Sequence, residues 1–334
     1  MKIAQTLSYG FSNSVIKAKK RKLLSDSEIQ NLVQSDSISE AVGILDSTVY
    51  RNSLYGKTKY KEIDKALSKH LLEVEKEGRR YSPEPLQDVL DIYLKRWEIQ
   101  NLKLALRIVK SKRGSFRDKA FPYETGLFET IENISKSEDL TEASKVLEET
   151  EYGFLEAVFE KKTDLTQAEI KLDQYYYKKL MKKIEKKPKI IQQFFGIQID
   201  KINIETTLRA VKEQIEEEKI NKYILPPYKL EIEKLEEIIN TEDLKSAVAP
   251  LEGTMFHELA NMELEDHNTM TKTNIQLQRK IKELSKKIYR IESLGPGVIL
   301  GFLMLKRLEI QNLRKIFSYK NAGWPNEKIQ ERLI

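Results

Sequence analysis

The sequence predicts an all-α protein made of three homologous helical domains, and three observations carry that prediction. Glycine (13) and proline (9) together are under 7% of the 334 residues. Average usage is about 12%, so a sheet-rich fold would lack its turn residues. Charged residues make up 33% and apolar residues 40%, spaced with the period of packed amphipathic helices rather than strands. The same pattern then recurs three times along the chain, as expected of internally repeated units.

The first recurring segment reads SEIQNLVQSDSISEAVGILDSTVY, the second GLFETIENISKSEDLTEASKVLEETEY and the third EKLEEIINTEDLKSAVAPLEGTMF. Apolar residues and a closing threonine fall at identical offsets: Ile29, Leu32, Ile38, Ala41, Leu45 and Thr48 in the first. They return as Ile131 through Thr150 and as Leu235 through Thr254, after 102 and then 104 residues. The spacing predicts a short helix, a break at Ser37, Asp139 or Asp243, and a second helix with an i, i+3, i+7 stripe. Ser37 with Glu40, and Asp139 with Glu142, read as N-caps with a capping-box partner. At Asp243 only the cap is expected, because Ser246 replaces the acid.

An amphipathic helix comes next in each copy, near 59–77, 167–186 and 274–291. A second recurring pattern lies beyond it: WEIQNLKLALRIVK, QIDKINIETTLRAVK and LEIQNLRKIFSYK. An acid precedes an asparagine by three residues as Glu98 and Asn101, Asp200 and Asn203, Glu309 and Asn312. A basic residue stands six after the asparagine as Arg107 and Arg209, with Ser318 at that place in the third copy. Threonine-to-asparagine distances are 53, 53 and 58 residues, the extra five falling around Gly295-Pro296-Gly297, which breaks or starts a helix. The repeat boundaries expected are 1–114, 115–222 and 223–334, each about the size of one small domain.

Several chemistries lack their residues. There is no cysteine, so disulfides, thiolate metal sites and cysteine nucleophiles are excluded, consistent with a reducing cytoplasm. Three histidines make a histidine-rich metal site an unpromising expectation, and no cofactor is indicated. The net charge of +6 is the remainder of 58 basic and 52 acidic side chains. That describes a mixed, ion-paired surface and gives no expectation of nucleic-acid binding. The N-terminal MKIAQTLSYGFSNSV lacks the apolar centre of a secretory signal. The most apolar run, Val298 to Leu305, is eight residues, where a membrane span needs about 20.

Tyr55-Gly56-Lys57-Thr58 imitates the end of a phosphate-binding loop, but Arg51 occupies the position of its first glycine and no strand precedes it. It reads as a turn. His257-Glu258 imitates a zinc-protease helix with Asn261 in place of the second histidine, and His267 lies on no shared face. Lys178 to Lys189 holds seven lysines in twelve residues. A solvated helix end is one reading; a membrane-side basic cluster of Lys182, Lys183, Lys186 and Lys187, facing acidic lipid or an acidic partner, is the other. Lys17 to Lys22 carries the same two readings.

Each acid and its asparagine share one helix face beside an apolar stripe. Three copies of one asymmetric pair do not converge on a single active site, so catalysis is not their expected role. Bonding to neighbouring helices within each unit is favoured, with contact to a partner or the lining of a central axis as the alternative.

YLKRWEIQNLKLALR, FFGIQIDKINIETTLRAVK and IESLGPGVILGFLMLKRLEIQNLRKI resemble the C-subunit family of A-type/V-type ATP synthases, which includes the V-ATPase d subunit. The resemblance runs the whole length. It implies three helical domains in a pseudo-threefold, funnel-like arrangement, without an active site. It further implies a central-stalk rotor part that sits on the membrane c ring (proteolipid subunits), receives the shaft made by the D and F subunits, and transmits torque. It implies a cytoplasmic location, peripheral to the membrane through the complex. Two other readings stay open: a helical scaffold binding RNA through the lysine clusters, and a hydrolase or lyase using scattered carboxylates.

Overall fold

Short capped breaks cut the chain into helices. The computed structural model describes residues 2–160, 165–263 and 269–334, and no strand occurs among the described residues. In chain order the main helices are α1 (Lys2–Lys20), α2 (Asp26–Gln34), α3 (Ile38–Ile44), α4 (Tyr60–Tyr81), α5 (Glu84–Ser111) and α6 (Phe128–Ile134). They continue as α7 (Leu140–Lys145), α8 (Leu165–Ile184), α9 (Lys189–Lys212), α10 (Ile232–Ile239), α11 (Thr269–Ile291) and α12 (Gly297–Asn321). The protein is therefore all-α.

The breaks use side chains to satisfy the free amides of each helix start. Ser37 accepts from the Glu40 amide at 3.1 Å and Asp139 from the Glu142 amide at 2.8 Å. The reciprocal bonds land one residue earlier than a standard capping box: Glu40 takes the Asp36 amide at 2.7 Å, and Glu142 the Glu138 amide at 2.6 Å. Asp243 accepts from the Ser246 amide at 2.7 Å. The third copy then continues as a 3₁₀ turn, Ser246–Leu251, and not as the expected α-helix. Pro250 within it has no amide to continue an α ladder. The apolar stripe survives, with Ala247 and Leu251 buried.

Each copy then closes on its threonine in the same way. The hydroxyls of Thr48, Thr150 and Thr254 donate to the carbonyls of Leu45, Leu147 and Leu251 at 2.7, 2.7 and 2.6 Å. Each also accepts an amide two residues on, from Tyr50, Tyr152 or Phe256, at 3.1 Å. This local turn aims a large aromatic ring inward, and all three rings are buried.

Tertiary contacts divide the chain into two units, residues 1–86 with 184–334, and residues 87–183. In the first, α12 packs against α11, α4 and α1, and α9 packs against α10 and α11. Small residues permit the closest approaches. A Cβ at Gly301 would stand 2.8 Å from the Ser285 carbonyl oxygen, and one at Gly78 2.8 Å from Leu303. The Gly295-Pro296-Gly297 break lies where expected, with Pro296 immediately before α12. In the second unit Ile131, Ile134, Leu147 and Leu172 are buried, as are most apolar residues of α5.

Candidate functional site

The acid and asparagine pairs lie on α5, α9 and α12, the three longest apolar helices, and every one of their side chains is buried. Each asparagine does the same thing. Asn101 donates to the Phe121 carbonyl at 3.0 Å and accepts the Phe121 amide at 2.8 Å. Asn203 holds Leu225 through both groups at 2.9 Å, and Asn312 holds Ile334 through both at 3.0 Å. A side-chain amide thus stands where a neighbouring strand would, since an extended residue turns its own N–H and C=O to one side. Phe121 and Leu225 each precede a proline, which biases them toward that extended conformation.

The acids anchor a second point on the same helix face. Tyr152 donates its hydroxyl to Glu98 at 2.6 Å, and Tyr50 donates to Glu309 at 2.5 Å. Glu309 also accepts the Leu24 amide at 2.5 Å and Lys306 Nζ at 2.8 Å. In the remaining copy the aromatic is Phe256, which has no hydroxyl to offer. There the acid is the shorter Asp200, and it accepts the amides of Tyr228, Lys229 and Leu230 at 2.7, 3.0 and 3.3 Å. Tyrosine bonds glutamate in two copies; the copy with phenylalanine has an aspartate bound to main chain instead.

Burial sets the electrostatics of these bonds. It pushes the Tyr50 hydroxyl far up, with Glu309 adding to the effect, and Tyr152 is raised in the same way beside Glu98. Both phenols therefore remain donors. Burial also raises the Asp200 carboxyl, against three amides that favour its charged form. Lys306 is lowered by burial, which outweighs the attraction of Glu309.

The other predicted residues are placed differently. Arg107 is exposed and forms a bidentate pair with Glu169, both bonds 2.6 Å. Arg209 is exposed and Ser318 half-buried. In the lysine run, Lys182 and Lys186 are exposed, Lys187 is half-buried, and Lys183 pairs with Asp88 at 2.9 Å. Gly56 adopts φ 71° between helical segments, as a turn. Glu258 is occupied by Gln276 and Lys280, each at 2.7 Å, and His267 lies outside the described residues. No metal-holding cluster occurs among the described residues.

Sequence reasoning missed Tyr50 and Tyr152 as partners of the acids, and Phe256 as their counterpart in the third copy. The signal was present, since each aromatic stands two residues after the aligned threonine.

These clamps recur on the three segments that carry the family resemblance. A family model for the ATP synthase (C/AC39) subunit matches residues 12–332. The chain belongs to this family. As a C/AC39 subunit it is a structural part of an ATP synthase and does not belong to the catalytic subunits. Among similar proteins, the A-type ATP synthase C subunit of Pyrococcus abyssi is 26% identical, covering 97% of this chain and 89% of the relative. The C subunit of the Methanocaldococcus jannaschii enzyme is 26% identical over 98% of this chain and 86% of the relative. That of Methanosphaera stadtmanae is 27% identical over 98% and 88%. No helix among the described residues is long and apolar enough to cross a membrane.

Proposed function

We propose that this chain is the C subunit of an A-type ATP synthase, a rotor part that couples the D–F shaft to the membrane c ring. The observation that carries the reading is the near-complete coverage of relatives named as the C subunit of A-type ATP synthases. We further propose three units, 1–114, 115–222 and 223–334, set around a pseudo-threefold axis as a funnel at the cytoplasmic face of the membrane.

The bonding pattern supports a closed arrangement. Each acid–asparagine helix serves the copy after it: Glu98 meets Tyr152, and Asp200 meets residues 228–230. The third serves the first, through Glu309 and Tyr50. A chain whose last copy is bonded to its first resists uncoiling, which suits a part that carries torque. On this reading the clamps support the axis rather than contact a partner, and Lys182 and Lys186 face the acidic membrane side.

The test is a pull-down of the purified chain with the D–F pair and, separately, with the detergent-solubilised c ring, followed by native mass spectrometry. One copy per ring, with the shaft added on top, is expected. Binding to neither partner would overturn the reading. Replacing Lys182, Lys183, Lys186 and Lys187 with glutamate should weaken ring or anionic-bilayer association and reduce its salt dependence; unchanged binding would remove the lysines from that surface.

A further inference from the structure

A cavity of about 560 Å³ lies between the end of α1, the start of α2, α11 and α12. Its volume is within the range of about 300–1,000 Å³ typical of small-molecule sites. Its apolar floor is made by Leu305 and Leu308. Five cationic side chains reach it: Lys20 and Arg21 at the end of α1, and Lys282, Lys286 and Arg290 from α11. The last three stand at i, i+4 and i+8, so they form one stripe along the helix. The two basic groups come from segments more than 250 residues apart in sequence, joined only by the fold.

The two fully buried lysines among the described residues each have a carboxylate: Lys103 has Asp173 at 2.6 Å and Lys306 has Glu309 at 2.8 Å. Four of the five cations of the cavity do not. The lining contains two acids, Glu309 and Asp26. Glu309 is already committed to Tyr50, Lys306 and the Leu24 amide. Lys282 donates to the Ile334 carbonyl oxygen at 3.0 Å. Among the described residues, Lys20, Arg21, Lys286 and Arg290 have no ion-pair partner, and Lys20 rests over the Tyr289 ring at 5.2 Å. Burial lowers Lys282, and Lys286 and Arg279 lower it further, which marks a positive potential that Asp26 only partly offsets.

We propose that this cavity is a binding site for a compact phosphate-bearing anion. Lysine and arginine supply charge-assisted donors from two walls, the geometry that phosphate oxygens accept. The space is no larger than about one turn of a helix with its side chains, which favours a small polyanion over a protein segment. A nucleoside polyphosphate, inorganic polyphosphate and a phospholipid headgroup share this chemistry. The site is independent of the coupling role, and loss of either leaves the other standing.

The test uses the full chain and inorganic tripolyphosphate, titrated calorimetrically at physiological salt, with ATP and phosphatidylcholine vesicles doped with phosphatidylglycerol as further arms. Whichever arm binds identifies the source of the phosphate. The double variant Lys286→Gln/Arg290→Gln should weaken that binding by about tenfold or more, for one to two charge-assisted bonds removed. Both side chains are exposed, so its melting temperature should match the parent. Lys110→Gln/Lys145→Gln removes equal charge at two exposed positions elsewhere and should leave affinity unchanged. No binding in any arm would overturn the proposal. So would equal loss in both double variants, or equal affinity for a polyglutamate peptide.

Discussion

Replacing Asn203 with alanine would leave the amide and carbonyl of Leu225 buried without partners. Each such group costs about 1–3 kcal/mol, so a loss of about 2 kcal/mol or more is expected, measured by denaturant unfolding. Asn101→Ala and Asn312→Ala should cost similar amounts, because each releases one main-chain residue in the same way. An unchanged stability in all three would show that the clamps are incidental. Tyr152→Phe probes the second anchor. It removes the donor to buried Glu98 and should cost about 1.5–3 kcal/mol, the range for a bond to a charged group. With phenylalanine at 256 there is no hydroxyl donor, and Asp200 draws its bonds from the main chain instead. Sequence spacing put the acids and asparagines on one face. It offered no means of finding Phe121, Leu225 and Ile334, because a clamp onto main chain leaves no pattern in side-chain identity.

At the scale of elements, helix packing depends on absent side chains as much as present ones. Gly301→Ala would drive a methyl into the Ser285 carbonyl and the Tyr289 backbone, forcing α11 and α12 apart at about 1–3 kcal/mol. A thermal melt checks it. In the second unit, α8 is tied to α5 by ion pairs converging on Glu151. Burial raises that carboxyl, but bonds from Lys179, Lys95 and Tyr175 together hold it down at about 2. The unfolded chain protonates it near 4.5. The contribution is therefore complete above pH 4.5 and is lost as pH falls toward 2. Glu151→Gln should flatten the acid limb of stability in that window and lower stability at neutral pH. An acid limb unchanged by the substitution would show that Glu151 carries no linkage.

The helices themselves were legible because period, caps and breaks agree. The expected helix at 59–77 is α4, extended to Tyr81, and those at 167–186 and 274–291 are α8 and α11 within a few residues. The exception was the third copy after Asp243. Its apolar spacing matches the other two, yet Pro250 converts the segment to a 3₁₀ turn, a backbone effect that an apolar stripe does not register. The cavity between α1 and α11 was illegible for a different reason: its two basic groups are remote in sequence, and each alone reads as a solvated helix face.

At the scale of the whole molecule, the proposed coupling role requires a surface for the ring. Phe11, Ile291 and Leu294 are exposed by 72, 66 and 60%. They flank the junction where Asn13 donates to the carbonyls of Ser293 and Gly295, at 3.5 and 3.2 Å. Large exposed apolar residues near one junction are candidates for an interaction surface. Phe11→Ser/Leu294→Ser should weaken ring capture while leaving the melting temperature within error, and full capture by this variant would place the ring surface elsewhere.

Torque transmission has a direct readout. The complex is held on a surface through its A and B subunits, a gold particle is fixed to an exposed site on this chain, and ATP is added. A rotor part turns with the c ring, so the particle should rotate continuously and in one direction. A particle that stays fixed relative to A and B while the ring turns would contradict the coupling role.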